Sequence, residues 1–358
     1  MSVRTGDLIV ADAELRSFAG QVLERVGFSR AEAAELARGL VEADLRGLPS
    51  HGVMHLPNLV KRTRLGLVRA GAASRTLADS PSIARIDAMQ GAGILVAARA
   101  MDLAIEKAAA TGVGAVAVSN STHFGMGGIH AERAARSGMI GIALANTTPA
   151  MPAPDGMQSV IGTNPIAIAV PGEDGEPAFM LDMGLSQVTL GFVRNALQRG
   201  AQLPAGVAAA ADGTPTSDPA KALEGFLLPA GAHKGFGLAV AIEVLAGVLA
   251  GSGIGPEVGS LFVDYDRPQR TGHFLLALDV RHFIPGDEWR ERLGFLVAWI
   301  KGSARAEGAG PALLPGERER LTARERRASG VPLDDETADG LRALAGELDV
   351  PPPTSLRR

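Results

Sequence analysis

The run Gly114-Ala-Val-Ala-Val-Ser119 is a short continuous apolar stretch that empties into Asn120-Ser-Thr-His-Phe-Gly125 before a helical pattern resumes over Ile129–Ser137. An apolar run of that length, entered through glycine and left through small polar residues, reads as a buried strand feeding a loop and then a helix. The unit recurs nearby. Ile83–Asp87 alternates like a strand, Met101–Thr111 has helical spacing and stops at Gly112, and Ile140–Ala145, Ile166–Val170 and Phe274–Asp279 read as further strands. Helices alternating with strands predict an α/β (α+β) fold.

Both ends of the chain read as helical. Leu15, Phe18, Val22 and Val26 share one helical face. Ser29 with Glu32 forms a capping box for a second helix through Leu45. His51–Leu67 predicts a third helix, Lys234–Gly251 a long buried one and Asp287–Lys301 an amphipathic one. Charged Glu317–Arg327 and then Asp335–Leu348 complete the helical set. Gln198–Pro219 reads as a turn-rich surface segment, and Val350-Pro-Pro-Pro353 as the start of a disordered tail.

Composition removes several functions. The 358 residues contain no cysteine, which excludes disulfides, iron–sulfur clusters, thiolate zinc and a cysteine nucleophile. A net charge of −4 gives no basic footprint for nucleic acid. Met1–Leu15 lacks the apolar core of a secretory leader. Gly237–Gly251 is shorter than the roughly 20 residues a membrane span needs, and it contains Glu243. A cytoplasmic protein with no membrane segment is expected.

Three histidine-bearing stretches stand out: Ser50-His-Gly52, Asn120–Gly125 and His233-Lys-Gly-Phe-Gly237, in a chain with only seven histidines. Imidazole exchanges protons near neutral pH, and small neighbours let a ligand come close to the backbone. His51 and His55 are four apart, but the glutamate of a zinc protease is missing, so no metal site is expected. Neither a phosphate-binding P-loop nor a serine-hydrolase elbow is present. Gly125-Met-Gly127-Gly128 follows a strand without G-x-G-x-x-G spacing, which argues against a Rossmann domain, although the helix N-terminus at Ile129 could take a phosphate. Asn164, in Gly162-Thr-Asn-Pro165, reads first as a turn residue. Asp182, at a strand end, could meet a ribose or cap a loop.

Taken together, these blocks resemble the malate/L-lactate dehydrogenase family of non-Rossmann type, which includes sulfolactate and ureidoglycolate dehydrogenases and piperideine-2-carboxylate reductases. The matching blocks are Ala43–Val53, Asn120–Gly125, Gly162–Ala167, Leu181–Met183, Asp212–Pro219, His233–Leu238, Gly259–Phe262, Gly272–Phe274 and Pro315–Glu319. They cover nearly the whole chain in family order.

The resemblance implies a nicotinamide-binding domain built on a mainly antiparallel sheet, residues 76–284. It implies a helical domain from residues 1–75 with 285–350, leaving 351–358 as a tail. It further implies a homodimer, NAD or NADP as cofactor, and hydride transfer to or from a small 2-hydroxy or 2-keto acid. By the same resemblance His123 is the proton donor and acceptor, with His51 and Ser50 beside it. His55, Leu59 and Asn164 fall on substrate positions. His123, Phe124, Gly125, Thr147, Asp182, Met183, His233, Lys234, Gly316 and Arg318 fall on cofactor positions.

Three departures bear on substrate. Where the family has an arginine and a tyrosine, this chain has His55 and Leu59. Its Asp182-Met-Gly-Leu-Ser186 run ends in Gly191-Phe192 instead of Gly-Lys. A less common substrate, bulkier or less acidic, is therefore expected. The alternatives are a cyclic 2-imino acid reductase and a catalytically silent nucleotide-binding homologue.

Overall fold

The structure is a computed structural model and describes residues 8–357 other than Asp174. The reading of Met1–Leu15 as leaderless rests partly on residues 1–7, which lie outside the described residues, as does Arg358 of the tail. Eleven α-helices are described: α1 (Asp12–Arg25), α2 (Arg30–Leu45), α3 (Leu56–Arg64), α4 (Gly93–Thr111), α5 (Gly128–Arg136), α6 (Leu190–Gln198), α7 (Pro219–Glu224), α8 (His233–Ile242), α9 (Gly286–Lys301), α10 (Glu317–Ser329) and α11 (Asp335–Leu348).

A seven-stranded sheet forms the middle, in the order Arg75–Asp79, Ile83–Asp87, Val113–Ser121, Thr271–Asp279, Met139–Ala145, Ile166–Pro171, Pro177–Met183. Only the pairing of Ile83–Asp87 with Val113–Ser121 is parallel, and α4 supplies its crossover. Side chains alternate between the two faces. Ala143, Ala167 and Leu275 face one core with α4 and α5, while Leu144, Ile166 and Phe274 face another with α6 and α8. A third core joins Phe18, Leu36, Val60, Ala323 and Leu341 from α1, α2, α3, α10 and α11.

The helices sit close to the sheet because glycines face them. A Cβ on Gly114 would overlap Ala104 O of α4, and one on Gly141 would overlap Ala131 O of α5. The helical layer is tied to the sheet layer by a buried charge network. Arg46 donates to Glu42 Oε1 at 2.9 Å and to Glu132 Oε2 of α5 at 2.5 Å. The Ser29–Glu32 capping box opens α2 as expected.

Four expectations need correction. His51–Leu67 is not one helix: two 3-10 turns, Pro49–His51 and Val53–His55, precede α3, so His51 and His55 do not share a helical face. Lys234–Gly251 breaks at Ile242 into a π-helical segment, Glu243–Val248, and it is not buried. Leu238, Val244, Val248 and Leu249 are all more than 40% exposed. The Gln198–Pro219 segment is not wholly surface, since Leu203, Val207 and Ala208 enter a core. The tail is ordered. Leu356 is 2% exposed, and Glu14 accepts bonds from the backbone N–H and hydroxyl of Thr354. The proline run is pinned from its C-terminal side, where Leu356 fills a site in the helical core.

Among the described residues no helix is long and apolar enough to cross a membrane.

Candidate active site

The Ser50–Val53 turn is held from below by Asp44. Asp44 Oδ2 accepts the Val53 N–H at 2.8 Å, and a Cβ on Gly52 would overlap the same carboxylate. Gly52 therefore lets the turn close over a buried acid. Burial raises the Asp44 pKa to about 7, against the pull of the Val53 bond. On this turn Ser50 Oγ lies 3.1 Å from His51 Nδ1, and His55 Nε2 donates to Ser50 O at 2.7 Å. That second bond fixes the proton of neutral His55 on Nε2.

The opposing loop leaves the Val113–Ser121 strand. Thr122 Oγ1 accepts from Gly93 N at 2.9 Å, and His123 N donates to Gln269 Oε1 at 3.2 Å. A Cβ on Gly93 would overlap Thr122 O, which is why α4 can start directly against the loop and earlier than its spacing predicts. The result brings three rings together. The His55 and His123 centroids are 5.0 Å apart, and those of His51 and His123 are 5.7 Å apart and stacked.

All three imidazoles are held neutral. Burial lowers the His51 pKa to about 4 and lowers that of His55. His123 lies well below the ordinary histidine value through burial and its histidine neighbours. A buried neutral imidazole can accept a proton from a hydroxyl and return it as negative charge develops on oxygen. A cleft lined by His55, Leu59, Arg62, Ile94 and His123 opens beside the cluster.

The remaining expected residues divide. Asp182 Oδ2 accepts from Gly128 N at 2.7 Å, so it caps the N-terminus of α5, and burial raises its pKa to about 6. Met183 beside it is 37% exposed. Gly316, at φ 87°, packs against Met180, where a Cβ would not fit, and so brings the start of α10 to this strand. Leu185 O accepts from Ala230 N, which brings in the start of α8. Neither Ala232 nor Gly316 caps its helix with a side chain.

Lys234 and Arg318 stand exposed at these two helix starts, next to exposed His233, with no ion pair among the described residues. Uncapped N–H groups beside unpaired cations fit the pyrophosphate of a dinucleotide. Those residues would hold it.

Phe124 is 3% exposed. Its buried ring stacks on His273 at 5.0 Å, leaving only backbone at Phe124-Gly125 for contact. Asn164 is fully buried. It accepts from Thr147 N and donates to Ala239 O and Glu243 Oε2, so it positions Thr147 and its amide is already occupied. Its backbone, at φ 29°, turns the chain there.

Sequence reasoning missed Asp44 and Arg62, both buried and charged beside the site. The signal for Asp44 was an acid and a glycine bracketing Ser50-His51. Arg62 gave none.

A cluster of neutral histidines thus stands beside a cleft, and exposed Lys234 and Arg318 stand at two helix starts. The chain belongs to the malate/L-lactate dehydrogenase family, whose profile matches residues 10–342. It is 35% identical over 343 residues to a malate/(S)-sulfolactate dehydrogenase of Methanothermus fervidus, covering 96% of this chain and 99% of that one. It is 37% identical to a (2R)-3-sulfolactate dehydrogenase (NADP(+)) of Chromohalobacter salexigens, covering 93% and 96%. The structure of sulfolactate dehydrogenase from Methanocaldococcus jannaschii superimposes with a TM-score of 0.89 at 36% identity, covering 96% and 98%.

Proposed function

We propose that this chain transfers hydride reversibly between NAD(P) and the carbonyl carbon of a 2-keto acid or a related carbonyl substrate, with His123 as proton donor and acceptor. The observation that carries this reading is that His55 and His123, from two separate segments, line one cleft, with the His51 ring stacked on His123. The nicotinamide ring, when bound, supplies or takes the hydride. The protein supplies the rest. In the oxidative direction neutral His123 takes the hydroxyl proton as the carbonyl forms. In the reductive direction its imidazolium protonates the alkoxide oxygen. Ser50 orients His51 through the 3.1 Å contact, and the His51 ring stacks on His123. Lys234 and Arg318 bind phosphate, and Asp182 fixes the α5 end beneath the cofactor.

A second reading, reduction of a cyclic 2-imino acid, is favoured by the neutrality of the cluster. A protonated imine brings its own proton and asks less of His123.

The deciding experiment follows NADH and NADPH oxidation across 2-keto acids, 2-keto amides and cyclic imines, with His123→Ala alongside. Turnover confined to one class and lost in the variant supports the reading. Cofactor binding with no turnover on any of them would make the chain a silent homologue.

A further inference from the structure

We propose that Arg62 is the group that grips the acidic end of the substrate, in place of the arginine that the family carries where this chain has His55. The inference rests on the oxidoreductase reading and names the specificity residue of that same site. Leu59 and Arg62 are three residues apart in α3, and His55 is the N-cap residue of that helix, at the end of the preceding 3-10 turn. All three line the cleft that His123 closes.

Arg62 is 1% exposed, and its Nη1 donates to Asp264 O at 2.8 Å, with Leu261 O and Ser260 O at 3.3 and 3.4 Å. Its Nε and Nη2 are buried with no partner. Those two nitrogens form the side edge of the guanidinium, the pair that makes a parallel fork to a carboxylate. Leaving charged donors unpaired in the interior is costly, so the site is built for an acceptor that arrives with the ligand.

Nothing in the cleft already supplies one. Its lining contains no aspartate or glutamate. The nearby Asp264 carboxylate is engaged by Arg267 and the Ser260 N–H, and Asn58 by Leu261 O and Tyr265. Leu59, half-buried in the same lining, has no hydrogen-bonding group to offer Arg62. The acceptor that the guanidinium lacks is therefore a carboxylate carried by the substrate.

The test uses the full-length protein and two variants. Arg62→Lys keeps charge but loses the fork. Leu59→Tyr narrows the cleft that it lines together with Arg62 and removes none of the three carbonyl acceptors of Arg62. Oxalate, a planar dianion, is titrated calorimetrically with and without saturating NADH or NADPH, and KM and kcat are measured for matched 2-keto acids and 2-keto amides. Both variants should weaken oxalate by at least about 10-fold, raise KM for acids more than they lower kcat, and erase any preference for acid over amide.

Unchanged oxalate affinity and acid preference in a folded variant would overturn the proposal and make Arg62 only an anchor for the 260–264 loop. If Arg62→Lys fails to fold, Leu59→Tyr decides alone. Oxalate binding that depends on Arg62 in a protein that neither binds nor oxidises nicotinamide cofactor would keep the clamp and refute the oxidoreductase reading.

Discussion

Asp44 and Val53 are joined by a 2.8 Å bond across nine residues, and the segment it spans carries both Ser50 and His51. The acid has almost no exposure to solvent, so the bond forms in a medium where losing one partner is expensive. It sets the floor on which the histidine cluster stands.

Asp44→Ala should cost about 1–3 kcal/mol by leaving the Val53 N–H unpaired, and should lower kcat through misplacement of His51. Gly52→Ala should be worse, about 3 kcal/mol or more, because its methyl group collides with a carboxylate that cannot move outward. Denaturant melts of both variants, read beside kcat, check this. Wild-type kcat in Gly52→Ala would sink it.

Stability should fall as pH drops below about 6.5. His51, His55, His123, His130 and His273 all hold their protons more weakly folded than unfolded, chiefly through burial, with His130 at about 4 and His273 at about 3. Between those values and 6.5 the unfolded chain binds more protons, so acid favours unfolding. Asp44 and Asp182 act the other way. Their folded values of about 7 and 6 contribute stability below the ordinary carboxylate range that is lost as pH rises through 6 to 7. Five groups outweigh two, and the melting temperature should rise from pH 4 to about 6.5 and flatten near neutrality.

The two directions of the reaction should separate in pH. Oxidation needs neutral His123 and should stay level from pH 7 upward. Reduction needs its imidazolium, and kcat/KM should climb as pH falls through neutrality and keep climbing past the ordinary histidine range, because burial and its histidine neighbours hold His123 well below it. His123→Gln should remove the acid limb and leave cofactor affinity intact, as judged by fluorescence of bound NADH or NADPH. An acid limb that survives in the variant points to another proton donor.

Leu238, Val244, Val248 and Leu249 are exposed apolar side chains on α8 and the π-helical segment that follows it. We predict that a homodimer covers them. Sedimentation should give twice the chain mass, and Val248→Glu should shift it toward one.

The elements legible in the sequence were those whose periodicity was set locally. The capping box at Ser29, the Val113–Ser121 strand with its histidine loop, and α5 could be read directly. The Arg75–Asp79 strand was not, because all five of its residues are exposed and its apolar pattern is empty. The break after Ile242 was hidden because its cause is a long-range one: Glu243 turns inward to meet Asn146, Asn164 and the Gly255 N–H. His51 and His123 stood out by their glycine and serine company, and His55 by standing where the family resemblance has an arginine. Arg62 did not, since its mark is two nitrogens without partners, a property that exists only once the chain has folded.

The sheet's middle strand, Thr271–Asp279, comes from far along the chain, yet both of its neighbours, Val113–Ser121 and Met139–Ala145, are made more than a hundred residues earlier. During synthesis the two half-sheets can each gather around their own helices, but they meet only when this late strand slides between them. Until then each holds an open hydrogen-bonding edge. The most hazardous moment for this protein is therefore on the ribosome, in the interval before residue 279 emerges, when those edges have no partner but each other or a neighbouring nascent chain.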